Sequence, residues 1–322
     1  MNNFKKIGLT ALAGSLVATS VYAGEMSVAG SASLRMSNHA GTDGGKTMAM
    51  GNQLTFTGSG EMDNGMNVAL SFILDQGDDG PATVSDATLD ARGDTSPFDS
   101  HSITVSSDAM GSIKFAGEGA SSAQNTIDTT AAGDIWDNTF TGYTKAGNAS
   151  ANKTLLWTLP SMVDGLGVVT SYNMSKAGEE ATIGYALTYT GIEGLSLSYG
   201  MGEVGDTTAG ADGREITTMK ASFAFGPVTA AMSINDYDLT SASNEEQSSY
   251  KVSYSVSDDL SISYGSETHE TTGQTYDEEF SQISVSYTTG GLTATVSQTD
   301  AENAASSGDE QEKWNVGLSF AF

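Results

Sequence analysis

The last eleven residues of the chain alternate strictly between apolar side chains and small or polar ones. The apolar positions are Trp314, Val316, Leu318, Phe320 and Phe322. Because successive side chains of a strand point to opposite faces, this period of two predicts a β-strand with one apolar and one polar face. The segment is about as long as a tilted strand that crosses a lipid bilayer, roughly 9–11 residues.

The same alternation recurs along the chain in about sixteen segments. Seven of the connections between them are tight turns and eight are mostly longer, acidic loops, and the two kinds alternate. Short turns at one end of a sheet and long loops at the other are typical of outer-membrane barrels. The sequence therefore predicts an all-β fold, a 16-stranded antiparallel transmembrane β-barrel, with both termini at the turn end.

The pattern also predicts where individual segments begin and end. It places the first loop at residues 37–48 and the last loop at residues 299–311. Asn64 and Gly65 form a strong hairpin signal between the second and third segments. The alternation slips twice, near Ile216 and near Phe280, and we interpret both slips as bulges or loop edges.

The first 23 residues have the pattern of a secretory signal peptide. Lys5 and Lys6 are positive, residues 7–20 are apolar or small, and residues 21–23 fit a small-x-small cleavage site. We expect a cleaved signal peptide of residues 1–23, followed by an exported single domain, residues 24–322.

The remaining chain has neither the pattern of a membrane helix nor any cysteine. No run after residue 23 approaches the ~18 unbroken apolar residues that a membrane helix needs. The absence of cysteine excludes disulfides, thiolate metal sites and thiol catalysis. Such an exported chain is soluble in the periplasm, secreted, or an outer-membrane barrel stabilised by its own backbone hydrogen bonds.

The balance of charge excludes one class of function and favours another. When Lys5 and Lys6 are subtracted from the 13 basic residues, 11 remain against 40 acidic ones, a formal charge of −29. Phosphate backbones bind to basic faces, so nucleic acid is excluded as a partner. The acidity favours attraction of cations, although an acidic surface that only keeps the chain soluble is an alternative at this stage.

Aromatic residues fall near the ends of the segments and form two predicted belts. Towards the loop end lie Trp314, Tyr172, Tyr199, Tyr250 and Tyr264. Towards the turn end lie Trp157, Tyr189, Phe225, Tyr287, Phe320 and Phe322. Two aromatic belts around an apolar band are typical of membrane barrels, whereas a soluble sandwich places large aromatic residues in its core.

The opposite faces of the segments are polar. They hold mainly Ser, Thr, Asn, Gln and Gly, which are too small or too polar to fill a core, so a barrel of about 16 strands encloses an aqueous channel. Five basic residues occupy inward-facing positions of the same alternation (the inward parity): Arg35, Lys114, Lys220, Lys251 and Lys313. Each of them, taken alone, is better explained as a solvated wall residue than as a functional one.

Residues 118–152 form the longest connection. Loops beyond roughly 12–15 residues are usually functional or disordered. This one contains apolar side chains that have no use in water, namely Ile127, Ile135, Trp136, Phe140 and Tyr143. It also contains several carboxylates, so we expect it to fold into the lumen, narrow it, and give it a preference for cations. An extracellular lid is the alternative.

These residues resemble a Gram-negative general-diffusion porin of the alphaproteobacterial trimeric type. The similarity is carried by residues 28–36, Val-Ala-Gly-Ser-Ala-Ser-Leu-Arg-Met, and by residues 54–72 with their Asp-Asn-Gly turn. Residues 106–119, which precede the third loop, and the terminal strand that ends in Phe322 complete the resemblance. The similarity of pattern covers all of residues 24–322.

The resemblance implies a homotrimer in the outer membrane, in contact with lipid and lipopolysaccharide, with the third loop in the lumen. It also implies passive passage of small hydrophilic solutes and cations, and a C-terminal strand that serves as the assembly signal. Carried over by position, it implies a pore constriction of acids and facing bases: Glu118, Asp128, Asp134, Asp137, Arg35, Lys114 and Lys313. Such porins often carry an arginine cluster on the facing wall, and Arg35 is the one arginine on a predicted strand wall here, which favours cation preference.

No catalytic constellation is recognisable in the sequence. His39, His101 and His269 lie apart, and neither a serine elbow nor a metal-binding His pair is present. We therefore expect neither enzymatic activity nor a cofactor. Two groups of loop carboxylates are candidates for a structural divalent cation such as Ca²⁺, or are simply hydrated: Asp75, Asp78 and Asp79, and Asp206 with Asp212.

The sequence thus predicts an outer-membrane porin, a water-filled channel for passive diffusion that prefers cations. Two other functions stay open. A substrate-specific channel would show saturable block by its solute, and a structural or adhesive barrel with a plugged lumen would show no steady conductance.

Overall fold

In a computed structural model of the protein, the alternating segments form strands that follow one another around a ring. The structure describes residues 24–40, 45–75, 98–133, 135, 153–174, 181–203, 215–238, 244–303, 308 and 310–322. The strands are β1 (Glu25–Ala40), β2 (Gly45–Glu61), β3 (Asn67–Asp75), β4 (Phe98–Ser107), β5 (Gly111–Glu118), β6 (Thr154–Thr158), β7 (Leu166–Asn173), β8 (Thr182–Ile192), β9 (Leu195–Glu203), β10 (Glu215–Phe225), β11 (Val228–Asp238), β12 (Glu245–Ser255), β13 (Leu260–Thr271), β14 (Glu278–Thr289), β15 (Leu292–Glu302) and β16 (Glu310–Ala321).

Helical structure is almost absent from these residues. A 3-10 turn, Gln124–Thr126, lies between β5 and β6. Within the described ranges, no helix has the length and apolar character needed to cross a membrane.

Each strand pairs antiparallel with its neighbours in sequence, and the last strand pairs with the first. The closing seam runs from the pair of Ser31 and Ala321 to the pair of Ala40 and Glu312. Beyond it, the Gly30 N–H donates to the Phe322 carbonyl at 2.7 Å and the Phe322 N–H donates to the Gly30 carbonyl at 2.9 Å. Closure gives each described strand a hydrogen-bonded neighbour on both sides, which lipid requires. The predicted closed barrel of sixteen antiparallel strands is confirmed.

The two faces of the sheet differ in the way that the sequence predicts. On β12, Gln247 is 1% exposed and Ser249 is buried, whereas Tyr250 on the other face is 50% exposed. Large apolar and aromatic side chains share the exposed parity from strand to strand, and Ser, Thr, Asn and Gln share the buried one. A soluble barrel has the opposite arrangement, so the apolar outer face indicates a barrel that stands in lipid.

The hairpin predicted at Asn64 and Gly65 is confirmed. The Gly65 N–H donates to the Met62 carbonyl at 2.9 Å, and the Met66 N–H donates to Asn64 Oδ1 at 3.1 Å. Gly65 has a φ of 80°, a conformation that is favourable for glycine and strained for residues with a Cβ. The sequence signal therefore has a local cause that needs no tertiary contact.

The predicted bounds of two loops are wrong, because the strands continue beyond the segments in which apolar and polar residues alternate. The first loop was expected at residues 37–48, but β1 continues to Ala40 and β2 begins at Gly45. The last loop was expected at residues 299–311, but β15 continues to Glu302 and β16 begins at Glu310. In both cases polar residues still pair in the ladder, since backbone pairing is independent of the side chains that end the apolar stripe.

The two slips of the alternation are not bulges. Pairing is continuous through Ile216 on β10 and through Phe280 on β14, and both side chains are fully buried. Both are apolar residues on the inward face, and Phe280 packs there against Ala132 and Ile135. Register shifts occur instead at Ile73, at His101 and between Tyr189 and Ile192.

The closing seam makes a first prediction. A Cβ at Gly30 would meet the Phe322 ring and come within 2.9 Å of Leu54 Cδ2, whereas a Cβ at Gly58 on the neighbouring strand meets nothing within 4 Å. We expect Gly30→Val to destabilise the barrel by about 1–3 kcal/mol relative to Gly58→Val, because the terminal ring must move. Urea unfolding in detergent micelles measures the difference, and equal midpoints for the two variants would contradict the proposed tight seam.

Candidate functional site

The chain that follows β5 returns across the inward face of the wall. Residues 119–133 and Ile135 are here named the wall segment, and most of them are buried although they lie between strands. They contact buried-parity residues from β6 to β15. Their hydrogen bonds to the strands span up to 118 residues of sequence. A connection that is held in this way is part of the fold rather than a surface loop.

The first part of the wall segment is hydrogen-bonded to β7 and β10. The Ala123 N–H donates to Ser171 Oγ at 2.8 Å, and Gln124 Nε2 donates to Thr218 Oγ1 at 2.6 Å. The Thr218 hydroxyl in turn donates to the Asn235 side-chain oxygen. Because all of these groups are buried, each bond satisfies an atom that would otherwise be desolvated without a partner.

The second part is hydrogen-bonded to β11 and β12. The Ser233 hydroxyl donates to the Thr129 carbonyl at 2.9 Å. Ser249 Oγ accepts from the Ala131 N–H at 2.9 Å and from the Ala132 N–H at 2.8 Å. Serine hydroxyls on the strands thus replace the backbone partners that an irregular segment lacks.

Three glycines on the inward face give the wall segment room to approach. A Cβ at Gly184 would lie 3.4 Å from the Ala123 nitrogen, and one at Gly200 would lie 3.2 Å from Gln124 Cα and 2.9 Å from Ile127 Cδ1. A Cβ at Gly265 would lie 2.9 Å from the Ala132 Cβ. Glycine in a strand interior commonly marks such a close approach of another backbone.

Apolar side chains complete the attachment at two points. Ile127 packs with Ala123 and Ala186, and Leu156 and Val169 lie against this cluster. The second cluster joins the wall segment to β14 and β15 and consists of Ala132, Ile135, Phe280 and Ala301. These contacts explain why the apolar parity of the sequence is inverted at Phe280.

An ion pair lies at the middle of the wall segment. Lys220 Nζ on β10 donates to Asp128 Oδ2 at 2.6 Å and to the Thr130 carbonyl at 2.9 Å. The Lys220 side chain is 22% exposed and that of Asp128 is 56% exposed. The pair therefore faces solvent on one side, and Lys220 partly compensates the charge of Asp128.

The structure brings few of the predicted constriction residues together. Asp128 makes its ion pair with Lys220 and not with a residue of the facing wall. Glu118 ends β5 and is half-buried. Arg35 is half-buried, Lys114 is exposed, and Lys313 is 1% exposed. Asp134 and Asp137 lie outside the described residues, as does the rest of the loop at residues 136–152.

The side chains of both carboxylate groups predicted as cation sites fall outside the part of the chain that the structure describes. Asp78, Asp79, Asp206 and Asp212 lie outside the described residues, as does the side chain of Asp75. Within the part of the chain that the structure describes, no three His, Asp or Glu side chains are arranged to hold a metal ion.

Sequence reasoning missed the residues that attach the wall segment. Gln124, Thr218, Ser233 and Ser249 are ordinary polar residues in a chain rich in them. The inward-facing glycines were the available signal, because Gly200 interrupts β9 at a position where neither a turn nor a bulge requires glycine.

The wall segment makes a second prediction. We expect Gly200→Val to displace the segment from the wall, because its side chain overlaps Ile127 and approaches Gln124. The chain has no cysteine, so a single Ala123→Cys label at this fully buried position reports the displacement. A water-soluble maleimide should react with this thiol at least about tenfold faster in the Gly200→Val background.

Gly167→Val is the matched control. Gly167 also lies on the inward face, and its nearest contact is ordinary, 3.8 Å from the Thr188 carbonyl. Equal labelling rates in the Gly200→Val and Gly167→Val backgrounds would show that the glycine does not set the position of the segment.

Comparisons with solved structures identify the same architecture. The anion-selective porin from Comamonas acidovorans superposes with a TM-score of 0.70 at 11% identity, over 93% of this chain and 100% of that one. OmpF from Salmonella typhi, in complex with daunomycin, gives 0.71 at 14% identity, over 93% and 98%. The trimer form of OmpT from Vibrio cholerae gives 0.61 at 12% identity, over 93% and 100%. No curated protein matches the chain.

The family is shown by the sequence itself. Residues 8–322 match the Gram-negative porin family, and this match spans every strand of the barrel. The narrower resemblance to the alphaproteobacterial trimeric type stays a prediction. The family and the fold indicate a channel rather than an enzyme. The chain belongs to the family of Gram-negative porins.

Proposed function

We propose that the protein is an outer-membrane channel through which small hydrophilic solutes and ions diffuse passively. The observation that carries the proposal is the reversed polarity of a closed barrel, apolar outside and lined with hydroxyl and amide groups inside. Sixteen strands enclose a lumen wide enough for water. Membership of the porin family supports the same function and the same membrane.

The third loop, residues 118–152, folds into this lumen and narrows it. The support comes from the wall segment, whose buried contacts all lie on the inward face. The proposed constriction comprises the acids and bases implied by the resemblance: Glu118, Asp128, Asp134, Asp137, Arg35, Lys114 and Lys313. Two features modify that set, since Lys220 compensates Asp128 and Lys313 is buried.

The setting of the channel is also a proposal. A cleaved signal peptide, residues 1–23, delivers the chain to the outer membrane, where the outer face contacts lipid and lipopolysaccharide. The homotrimer is supported by likeness to the trimer form of OmpT. A structural divalent cation held by loop carboxylates stays a proposal, and no other cofactor is expected.

The cation preference inferred from net charge finds no support in the distribution of charge. Eleven carboxylates at the loop ends of β9 to β16 share parity with the lipid-facing Tyr199, Tyr250 and Trp314, in rows of directly opposed residues. They are Glu203, Glu215, Asp236, Asp238, Glu246, Glu270, Glu279, Asp300, Glu302, Glu310 and Glu312. Because they lie on the outer face, much of the acidity acts on the membrane surface and not on the lumen.

The channel proposal is tested in planar bilayers. We expect refolded protein, residues 24–322, to insert with discrete conductance steps that persist at constant voltage, because the lumen is polar and continuous with water. A channel current that falls linearly with the size of the solute added to the bath favours general diffusion. The barrel is known to be folded when its electrophoretic mobility changes on heating. If such folded protein gives no conductance steps, the plugged, structural alternative is supported.

The ion pair of Lys220 and Asp128 yields a prediction on selectivity. Lys220→Gln leaves the Asp128 charge uncompensated, so the reversal potential in a salt gradient should move towards cation preference, by roughly twofold in permeability ratio. Asp128→Asn should move it in the opposite direction. Shifts of the same sign in both variants would show that the pair does not face the conducting path.

A further inference from the structure

The inner wall contains a cavity of about 330 Å³ where β14, β15, β16, β1 and β2 lie side by side. It is here named the Arg35 alcove. Its polar lining includes Ser33, Arg35, Gln282, Ser297, Asn315 and Ser319. These residues have the inward parity, so the alcove opens on the lumen.

Small residues around one long side chain create the alcove. The residues directly opposite Arg35 on the two neighbouring strands are Gly317 and Ala49. A Cβ at Gly317 would meet nothing within 4 Å, and Gly51 also lines the space. Neither facing residue therefore offers the guanidinium a polar side-chain partner.

The charge of the alcove has one sign. Arg35 is its single charged group, and no carboxylate is among its described lining residues. A guanidinium stays protonated and presents five N–H donors in a planar fork that matches a carboxylate or a phosphate.

A second group in the alcove requires a partner of different chemistry. Asn315 is 8% exposed, and its Oδ1 is buried without a hydrogen-bond partner. A buried amide oxygen without a donor is unfavourable, and native structures rarely keep one. Its directly opposed neighbours on the two adjacent strands are Ser37 and Ser297. The Gln282 amide nitrogen is already engaged with Thr299 Oγ1 at 2.8 Å.

We propose that the Arg35 alcove is a binding subsite for small hydroxylated anions, such as sugar acids or sugar phosphates. The carboxylate or phosphate binds to the Arg35 guanidinium. The hydroxyl groups of the solute donate to Asn315 Oδ1 and exchange hydrogen bonds with the serines. A neutral sugar lacks the first contact and a simple carboxylate lacks the second, so the pair of contacts selects for solutes that have both.

The inference rests on the proposed channel function and refines it. A weak site in the wall of a diffusion channel raises the local concentration of its solute without closing the path. Transport of such a solute then saturates, whereas transport of other solutes stays proportional to concentration. The subsite would also favour anions inside a barrel whose formal charge is strongly negative.

The experiment is block of single-channel current at 0.1 M KCl by gluconate, with glucose 6-phosphate, glucose and acetate as comparison probes. Gluconate should reduce the current saturably. Glucose and acetate should need at least about tenfold higher concentrations, because each loses one contact. The relative potency of gluconate and glucose 6-phosphate distinguishes carboxylate from phosphate as the preferred anion.

Variants then assign the block to the alcove. Arg35→Gln should raise the half-blocking concentration of gluconate at least about tenfold. Gly317→Asp should do the same, because it places a carboxylate opposite the guanidinium. Lys46→Gln removes an equal charge from an exposed position with lipid-facing parity and should leave the block unchanged. Arg35→Lys keeps the charge and the fold if Arg35→Gln assembles poorly, and should weaken block by an intermediate amount.

Two outcomes overturn the proposal. One is equal, linear reduction of current by gluconate and glucose, and the other is unchanged gluconate block in Arg35→Gln or Gly317→Asp. Failure of the proposed channel is distinguishable from failure of the subsite, because in that case no conductance steps appear even before a probe solute is added. In that case, calorimetric titration of gluconate into detergent-solubilised barrel still tests the subsite, because binding there needs no ion flow.

Discussion

Closure of the backbone hydrogen-bond ladder is the constraint on which the rest of this structure depends. A sheet in lipid has no water to satisfy the N–H and C=O groups of an edge strand, so β16 must return to β1. The seam from Ser31 to Ala40 and the bonds between Gly30 and Phe322 satisfy that requirement. Once the ring is closed, each strand has one face towards acyl chains and one towards the enclosed space.

Closure of the barrel also gives the wall segment a polar inner face to attach to. A polar lumen cannot hold an irregular connection by burying apolar area alone, so the wall uses hydroxyl and amide groups to bind backbone atoms, as Ser249 and Gln124 do. Glycines at positions such as Gly200 remove the Cβ atoms that would hold the segment away. Ile127 and Ile135 then pack against apolar side chains of the inward face, although the alternation of the strands places most apolar side chains on the outer face.

The distribution of charge follows from the same two faces. Carboxylates in rows such as Asp236, Glu246 and Glu270 lie on the outer face at the loop ends of the strands. On the inner face, Arg35, Lys114 and Lys251 share the parity of the polar lining. Net charge is therefore a poor guide to the charge inside a barrel, because a shift of one position along a strand places a charged side chain on the opposite face of the wall.

The sequence by itself determined the number of strands, their order and their two faces, because period-two alternation and turn residues such as Gly65 act locally. Only the tertiary structure decided that Phe280 faces inward, that Asp128 pairs with Lys220, and that Lys313 is buried. These facts depend on contacts between strands far apart in sequence, which are set by the closure and stagger of the barrel and leave no periodic signal in the chain.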